Sequence, residues 1–140
     1  MRLARYAGGM DGGGIYCLLL ELQDDIELPV GALGLCSFPR GYYVYTGSAL
    51  RGLGARIGRH LRPEKKHHWH VDYLLEAARV TEVFVLETGE RRECELNLLV
   101  MGLPGARVAV DSFGSSDCGC RSHLIRFARD PGEALGALEL

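Results

Sequence analysis

The sequence lacks the features that would place it in a membrane or on a secretory route. No apolar run approaches the roughly 18 consecutive residues of a spanning helix, and the first residues do not show the basic-then-apolar order of a signal peptide. The five cysteines are an odd number, so they cannot all pair with one another within the chain, and we expect reduced thiols. We therefore expect a cytoplasmic protein with no membrane partner.

A strong net charge is also absent. The formal charge is −2 at pH 7, which argues against a protein that coats nucleic acid through overall basicity. Positive charge is instead concentrated between residues 51 and 70, where Glu64 is the one acidic residue. The basic residues of this segment are Arg51, Arg56, Arg59, Arg62, Lys65 and Lys66. Such a cluster indicates either an anion-binding surface or an ordinary solvated helix face.

The hydrophobic patterns predict an α+β fold. Strands are expected at 14–22, 42–47 and 80–87 as the three core strands of a small, mainly antiparallel sheet, with shorter strands within 26–38, at 108–110 and at 123–127. Helices ending near Arg62 and Met101, another from Val71 to Ala78 and a small one after Asp130-Pro131 would flank this sheet. We expect residues 1–13 to be a flexible lead-in and residues 14–140 to form a single domain.

The periodicity also predicts which side chains are buried. In the helix that ends near Arg62, the residues Leu53, Ile57 and Leu61 recur every four positions and would form the buried stripe. In the predicted helix at 90–101, the inward-facing residues would be Cys94, Leu98 and Met101.

A tyrosine-rich strand that runs into a glycine-punctuated helix suits a phosphate ligand. Period-2 geometry places Tyr43 and Tyr45 on one sheet face, opposite Tyr42 and Val44. In the following helix, Arg56 and His60 are four residues apart and share a face. An arginine offers phosphate a planar, permanent charge, although a surface arginine lying over the apolar stripe and an inert exposed histidine are the ordinary alternatives.

Five elements in order carry a family resemblance. Gly14-Ile15-Tyr16 is followed by Tyr45-Thr46-Gly47, then by Arg56 and His60 on a helix and by Glu93 on a later helix. With the segments GYYVYTGSAL, HWHVDYLL and FGSSDCGCRSHL, this order resembles the GIY-YIG endonuclease superfamily, and within it a small branch described only as a domain of unknown function.

The resemblance implies metal-dependent hydrolysis of a nucleic-acid phosphodiester, in DNA or RNA, with one Mg²⁺ or Mn²⁺ ion. Of the two nucleic acids, DNA is the favoured partner. It implies that Tyr16 helps to deprotonate the attacking water, with Tyr45 as its partner on the neighbouring strand. Arg56 would hold the scissile phosphate and His60 would assist proton transfer or orient a tyrosine. Glu93 would be the single protein ligand of the metal.

Three departures from the family pattern bear on these roles. Thr46 stands where the second motif has isoleucine. An unusually long insert at 23–41 could reshape the substrate groove. Glu95 competes with Glu93 for the metal position, and either glutamate could instead be a solvated helix carboxylate.

A nucleic-acid-binding surface is predicted around this site. Its predicted members are Gly47, Ser48, Arg51, Arg59, Lys65, Lys66, His68, Trp69 and His70. Trp69 could stack on a base, and a histidine beside Asp72 could order a proton relay. The alternative is that Trp69 plugs the core beneath the basic helix while the histidines lie on a solvated loop.

A second cluster follows in the loop near the carboxyl terminus. It comprises Ser116, Asp117, Cys118, Cys120 and His123, and invites a zinc interpretation. The ligands are crowded, however, and no second pair stands at zinc spacing, so a tight loop beside the active site is favoured over a structural zinc site.

Two rival functions remain open at this point. One is a non-catalytic nucleic-acid-binding module on the same fold, which would rely on a partner protein for targeting. The other is a zinc-stabilised interaction domain.

Overall fold

A computed structural model describes all 140 residues and shows an α+β fold, as predicted. Its main sheet has six strands: β1 (Ala4–Arg5), β2 (Gly14–Leu22), β5 (Gly41–Ala49), β6 (Arg79–Glu87), β7 (Arg107–Val108) and β8 (Leu124–Phe127). Their order in the sheet is β1-β6-β2-β5-β8-β7, and every pairing is antiparallel. The three long strands at its centre are those predicted as the core, since β2 lies between β5 and β6.

Helices cover both faces of this sheet. They are α1 (Leu53–Leu61), α2 (His70–Leu74), α3 (Glu93–Met101) and α4 (Gly132–Gly136). Apolar side chains of α1 and α2 share one buried cluster with Tyr43 and Tyr45, whereas those of α3 and α4 share the other with Val44. The predicted division of the β5 side chains between two faces is therefore confirmed. None of these helices combines the length and the apolar character that crossing a membrane requires.

The insert between β2 and β5 forms a separate two-stranded sheet. Its strands β3 (Ile26–Pro29) and β4 (Leu35–Phe38) pair antiparallel around a 3-10 turn at Gly31–Leu33. The insert connects Leu22 to Gly41, which are paired across β2 and β5. At about 3.4 Å per residue, this end of the two strands lies about 20 Å from Tyr16.

Several local predictions need correction. The predicted lead-in contains β1, which pairs with β6, and Leu3 is buried beside it. Helix α3 begins at Glu93 rather than near residue 90, and Leu98 is 59% exposed rather than inward. Of the three residues predicted to form the buried stripe of α1, Leu53 and Ile57 are buried, whereas Leu61 is 46% exposed.

Candidate functional site

Four of the five residues predicted to act in catalysis or to bind the metal line one cleft of about 460 Å³. Tyr16 reaches it from β2, Tyr45 from β5, Arg56 from α1 and Glu93 from the first turn of α3. Although α3 packs its apolar side on the sheet face opposite the tyrosines, its amino-terminal end extends to this cleft. Residues that are 77 positions apart in the sequence therefore meet at one end of the sheet.

Gly47 makes room for the first of these side chains. It is the register partner of Tyr16 on the neighbouring strand, and a Cβ at this position would lie 2.5 Å from the Tyr16 Cζ and hydroxyl oxygen. Only glycine can therefore stand under the ring without displacing it. This steric requirement accounts for glycine at position 47 independently of the predicted role of Gly47 in ligand binding.

Tyr16 and His60 form a buried hydrogen-bonded pair. The Tyr16 hydroxyl lies 2.6 Å from His60 Nε2, and the two side chains are 1% and 2% exposed. Burial lowers the pKa of His60 to about 4, so its imidazole is neutral at pH 7. Burial also raises the pKa of Tyr16 well above its ordinary value of 10, and the nearby Arg56 only partly opposes this shift. The histidine therefore does not lie exposed on the helix surface.

Tyr45 packs beside this pair. Its ring centroid lies 6.4 Å from that of Tyr16 and 6.0 Å from that of His60. Burial, followed by the negative charge of Glu93, raises the pKa of Tyr45 well above its ordinary range. Both tyrosines are thus protonated hydrogen-bonding groups at neutral pH.

Arg56 is held at the cleft by a carbonyl and an aromatic ring. Its Nη1 donates to the Ser48 carbonyl at 2.8 Å, and its guanidinium carbon lies 4.5 Å from the Trp69 ring centroid. The Arg59 guanidinium carbon lies 4.4 Å from the same centroid. Trp69 is partly exposed and lines the cleft, so it is not a plug within the core.

Asp72 has a structural role between α1 and α2. It is 1% exposed, and its two carboxylate oxygens each accept a 3.0 Å bond from Arg59. The same carboxylate accepts the backbone amides of His68 and Trp69, which caps α2. Burial alone would raise the pKa of Asp72, but these donors hold it below its ordinary value. Asp72 bonds no imidazole, so the predicted proton relay through it is not formed.

The remaining predicted nucleic-acid-binding residues lie outside the cleft lining. Arg51, Lys66 and His68 are exposed, and Lys65 donates to the carbonyl of Arg62 at 2.5 Å. His70 accepts the backbone amide of Gly114 through Nδ1 at 2.8 Å and thereby holds a loop in place. Of the predicted set, Gly47, Ser48 and Trp69 line the cleft. Arg91, which was not predicted, is a further cationic residue in its wall.

Both carboxylate oxygens of Glu93 have protein partners. The Ser48 hydroxyl donates to Oε1, and His123 Nδ1 lies 2.7 Å from Oε2. Burial would raise the pKa of this carboxyl, but the hydrogen bonds from His123 and Ser48 outweigh burial and lower it. Glu95 is exposed, pairs with Arg92 at 2.9 Å and lies outside the cleft lining. Glu93 is thus the glutamate at the cleft, held as an anion.

A group of potential metal ligands lies directly behind Glu93. The ligand atoms of Cys94, Cys118, Cys120 and His123 all lie within 4.8 Å of one another. This set of three thiols and one imidazole could bind a metal ion and is typical of zinc coordination. The prediction of one Mg²⁺ or Mn²⁺ ion in preference to zinc is therefore wrong, because sulfur-rich sites suit zinc whereas magnesium and manganese prefer oxygen ligands.

The fourth potential ligand lies outside the loop. The loop supplies Cys118, Cys120 and His123, and the fourth ligand is Cys94 in the first turn of α3, for which helical periodicity predicts a core position. A cysteine beside the predicted metal-binding Glu93 was the available signal. Of the two other loop residues that were singled out, Asp117 lines the cleft, whereas Ser116 is exposed and does not.

The insert at 23–41 contributes nothing to the cleft lining. Its hairpin joins the far ends of β2 and β5 and packs near α2. The expectation that it reshapes the substrate groove is therefore not met at this site.

Comparison with known proteins gives a family without a described activity. No curated protein and no solved structure matches the chain. The family described as "Domain of unknown function DUF123" matches residues 15–137, which include every residue of the cleft except Gly14 and every residue of the sulfur-rich cluster. The chain therefore belongs to this DUF123 family.

Proposed function

We propose that this chain hydrolyses phosphodiester bonds of nucleic acid, DNA in preference to RNA, and that it is a GIY-YIG-type nuclease acting at the cleft. The observation that supports this proposal best is the buried Tyr16–His60 pair, 2.6 Å between oxygen and nitrogen, at a cleft that also contains Arg56 and Tyr45. Perturbed titratable groups that converge on a concave site are the ordinary signature of catalysis.

The pair can move a proton. Because the pKa of His60 is about 4, its imidazole is neutral at pH 7, and Nε2 can accept a hydrogen bond from the Tyr16 hydroxyl in the tautomer that carries hydrogen on Nδ1. The Tyr16 oxygen can in turn accept a hydrogen bond from a water molecule in the cleft and orient it for attack. In this way a tyrosine with a raised pKa serves as a relay without existing as a phenolate.

One feature of His60 supports a role beyond packing. Its Nδ1 is buried and has no hydrogen-bond partner. An unsatisfied buried polar atom costs about 1–3 kcal/mol, so an apolar side chain would stabilise the core better. An imidazole at this position is consistent with a functional role for Nε2, the nitrogen that pairs with the Tyr16 hydroxyl.

Arg56 supplies the charge that a phosphate requires. One of its donors is bound by the Ser48 carbonyl, and the guanidinium also contacts the Trp69 ring, with its carbon 4.5 Å from the ring centroid. The remaining donors of the fork are available to the non-bridging oxygens of a phosphodiester. Trp69 is partly exposed in the cleft lining, where its aromatic ring can contact a base of a single strand.

The test is cleavage of labelled branched, flapped, single-stranded and duplex substrates, in DNA and RNA forms. The assay is run without added divalent ion, with several ions in turn and with chelator, so that cleavage is scored without assuming a cofactor. We expect Tyr16→Phe to lower the cleavage rate by about 10²-fold or more, as for loss of a proton-transfer group. Tyr43→Phe is the matched control, because the Tyr43 hydroxyl is bound to the Pro39 carbonyl away from the cleft.

A second function is favoured by one observation. Glu93 has both oxygens engaged by Ser48 and His123, an arrangement that suits a positioned structural carboxylate. The alternative proposal is therefore a nucleic-acid-binding module without turnover. Wild-type binding that weakens steeply with salt, together with no cleavage of any substrate, would select this alternative and reject hydrolysis.

We also propose a cytoplasmic location. All five cysteines are free thiols in the structure, and such thiols persist in reducing compartments.

A further inference from the structure

We propose that Cys94, Cys118, Cys120 and His123 form a mononuclear zinc site, and that Glu93 is its outer-shell carboxylate. This inference does not depend on whether the cleft cleaves nucleic acid. It assigns a metal to a cluster outside the Tyr16–His60 machinery, and it gives Glu93 a partner other than a phosphate-bound ion.

The distances fit a single tetrahedral ion. Zinc bonds of about 2.3 Å to sulfur and 2.0–2.1 Å to nitrogen place neighbouring ligand atoms about 3.5–3.8 Å apart. His123 Nε2 lies 3.4 Å from the Cys118 sulfur and 3.9 Å from the Cys94 sulfur, and no pair within the set exceeds 4.8 Å. The four atoms therefore lie close enough together for small side-chain shifts to bring all of them to one ion.

The arrangement around His123 matches a metal-bound imidazole. Its Nδ1 lies 2.7 Å from Glu93 Oε2 and 3.2 Å from the Thr46 carbonyl, so hydrogen is required on Nδ1. The Nε2 lone pair is then directed to the sulfur atoms. A carboxylate that holds a zinc-bound histidine in this way fixes its tautomer and orientation.

The site also explains how a loop with little secondary structure keeps its shape. The segment 109–123 has no strand or α-helix, and Cys118 and Cys120 are only partly buried or exposed. Zinc would tie this loop to the first turn of α3 through Cys94. Because Asp117 and Cys118 also line the cleft, the ion would hold one cleft wall in place.

The first experiment measures metal in the full chain purified under reducing conditions without added metal. We expect about one zinc per chain by elemental analysis, as for a closed four-ligand site. Replacing zinc by cobalt should give the intense visible bands of four-coordinate cobalt and a thiolate charge-transfer band. Absence of zinc both as purified and after reloading, iron in its place, or an octahedral cobalt spectrum would overturn the assignment.

Variants then test the ligands. Cys120→Ser should lose at least 10-fold in zinc affinity, whereas Cys36→Ser, which lies in the distant hairpin strand β4, should keep one zinc per chain. The wild-type stoichiometry remains decisive even where a ligand variant fails to fold. Equal zinc affinity in Cys120→Ser and wild type would reject the site.

The outer-shell role of Glu93 has its own readout. Glu93→Gln should retain one zinc per chain with an affinity lowered by about 10–100-fold, measured by chelator competition. The exposed Glu95→Gln is the matched control and should bind zinc as the wild type does. Unchanged affinity in Glu93→Gln would show that His123 needs no carboxylate partner.

Discussion

His60 makes the folded state sensitive to acid in a way that one substitution can isolate. In the unfolded chain its imidazole binds a proton below about pH 6.5, whereas in the folded chain burial lowers the pKa from 6.5 to about 4. Between these values the unfolded state binds more protons, so lowering the pH favours unfolding. The contribution of His60 is fully present above pH 6.5 and is lost as the pH falls toward 4.

The pKa difference sets the magnitude. A shift of this size corresponds to about 3 kcal/mol in total, of which about 2 kcal/mol is lost between pH 7 and pH 5. Replacing His60 by glutamine removes the titrating group. We therefore expect the unfolding free energy of the wild type to fall by about 2 kcal/mol more than that of His60→Gln between pH 7 and pH 5. This difference does not depend on how stable each chain is at pH 7.

Urea denaturation at pH 7 and pH 5, followed by circular dichroism, measures the difference. Both chains keep the cluster of Cys94, Cys118, Cys120 and His123, so acid effects at that cluster cancel. His68→Gln replaces an exposed histidine of the same region and should keep the wild-type pH dependence. Equal losses in His60→Gln and wild type would refute a buried neutral imidazole at this position.

Three further substitutions test the packing and the ligand surface. Gly47→Ala should lower the unfolding free energy by roughly 1–3 kcal/mol, because the alanine Cβ would meet the Tyr16 ring at 2.5 Å. Urea denaturation measures this loss, and an unchanged unfolding free energy would mean that the ring moves freely. Asp72→Ala should cost about 3–5 kcal/mol by leaving Arg59 largely buried without its partner, and a loss under about 1 kcal/mol in the same assay would contradict this. Trp69→Ala should weaken the binding of single-stranded DNA by about 1–3 kcal/mol, measured by fluorescence anisotropy, whereas Trp69→Phe should keep most of the wild-type affinity. Equal affinities of Trp69→Ala and wild type would exclude a stacking role for Trp69.

The long strands could be predicted because their signals are local. Alternation along β5 assigns Tyr43 and Tyr45 to one face whatever the partner strand is, and the structure agrees. Burial of β2 on both faces likewise follows from its continuous apolar sequence. These predictions required no knowledge of distant residues.

The exposed side of a short helix could not be predicted in this way. Helix α3 is apolar on several sides, and contacts with the sheet decide which side is buried. Leu96 and Val100 turn inward, so Leu98 remains exposed. Strand β1 was missed for a related reason, since two residues gain strand geometry only by pairing with β6.

The sulfur-rich cluster shows the same limit for a site. Spacing within the loop could identify Cys118, Cys120 and His123 as neighbours, but Cys94 joins them only because α3 begins beside the loop. A ligand set divided between two elements has no fixed sequence separation. The count of ligands, and hence the choice of metal, depended on the fold.

Glu93 links the cleft and the cluster, and this changes how its mutants must be interpreted. Its Oε1 accepts a hydrogen bond from Ser48 at the cleft, while its Oε2 faces His123 in the cluster. Loss of activity in Glu93→Gln would therefore not by itself identify a catalytic metal ligand, because a displaced His123 would move the loop that forms the cleft wall. Ser48→Ala removes the cleft-side contact and leaves His123 untouched. If Ser48→Ala and Glu93→Gln impair cleavage equally while only Glu93→Gln weakens zinc binding, the cleft-side oxygen is the one that matters for hydrolysis.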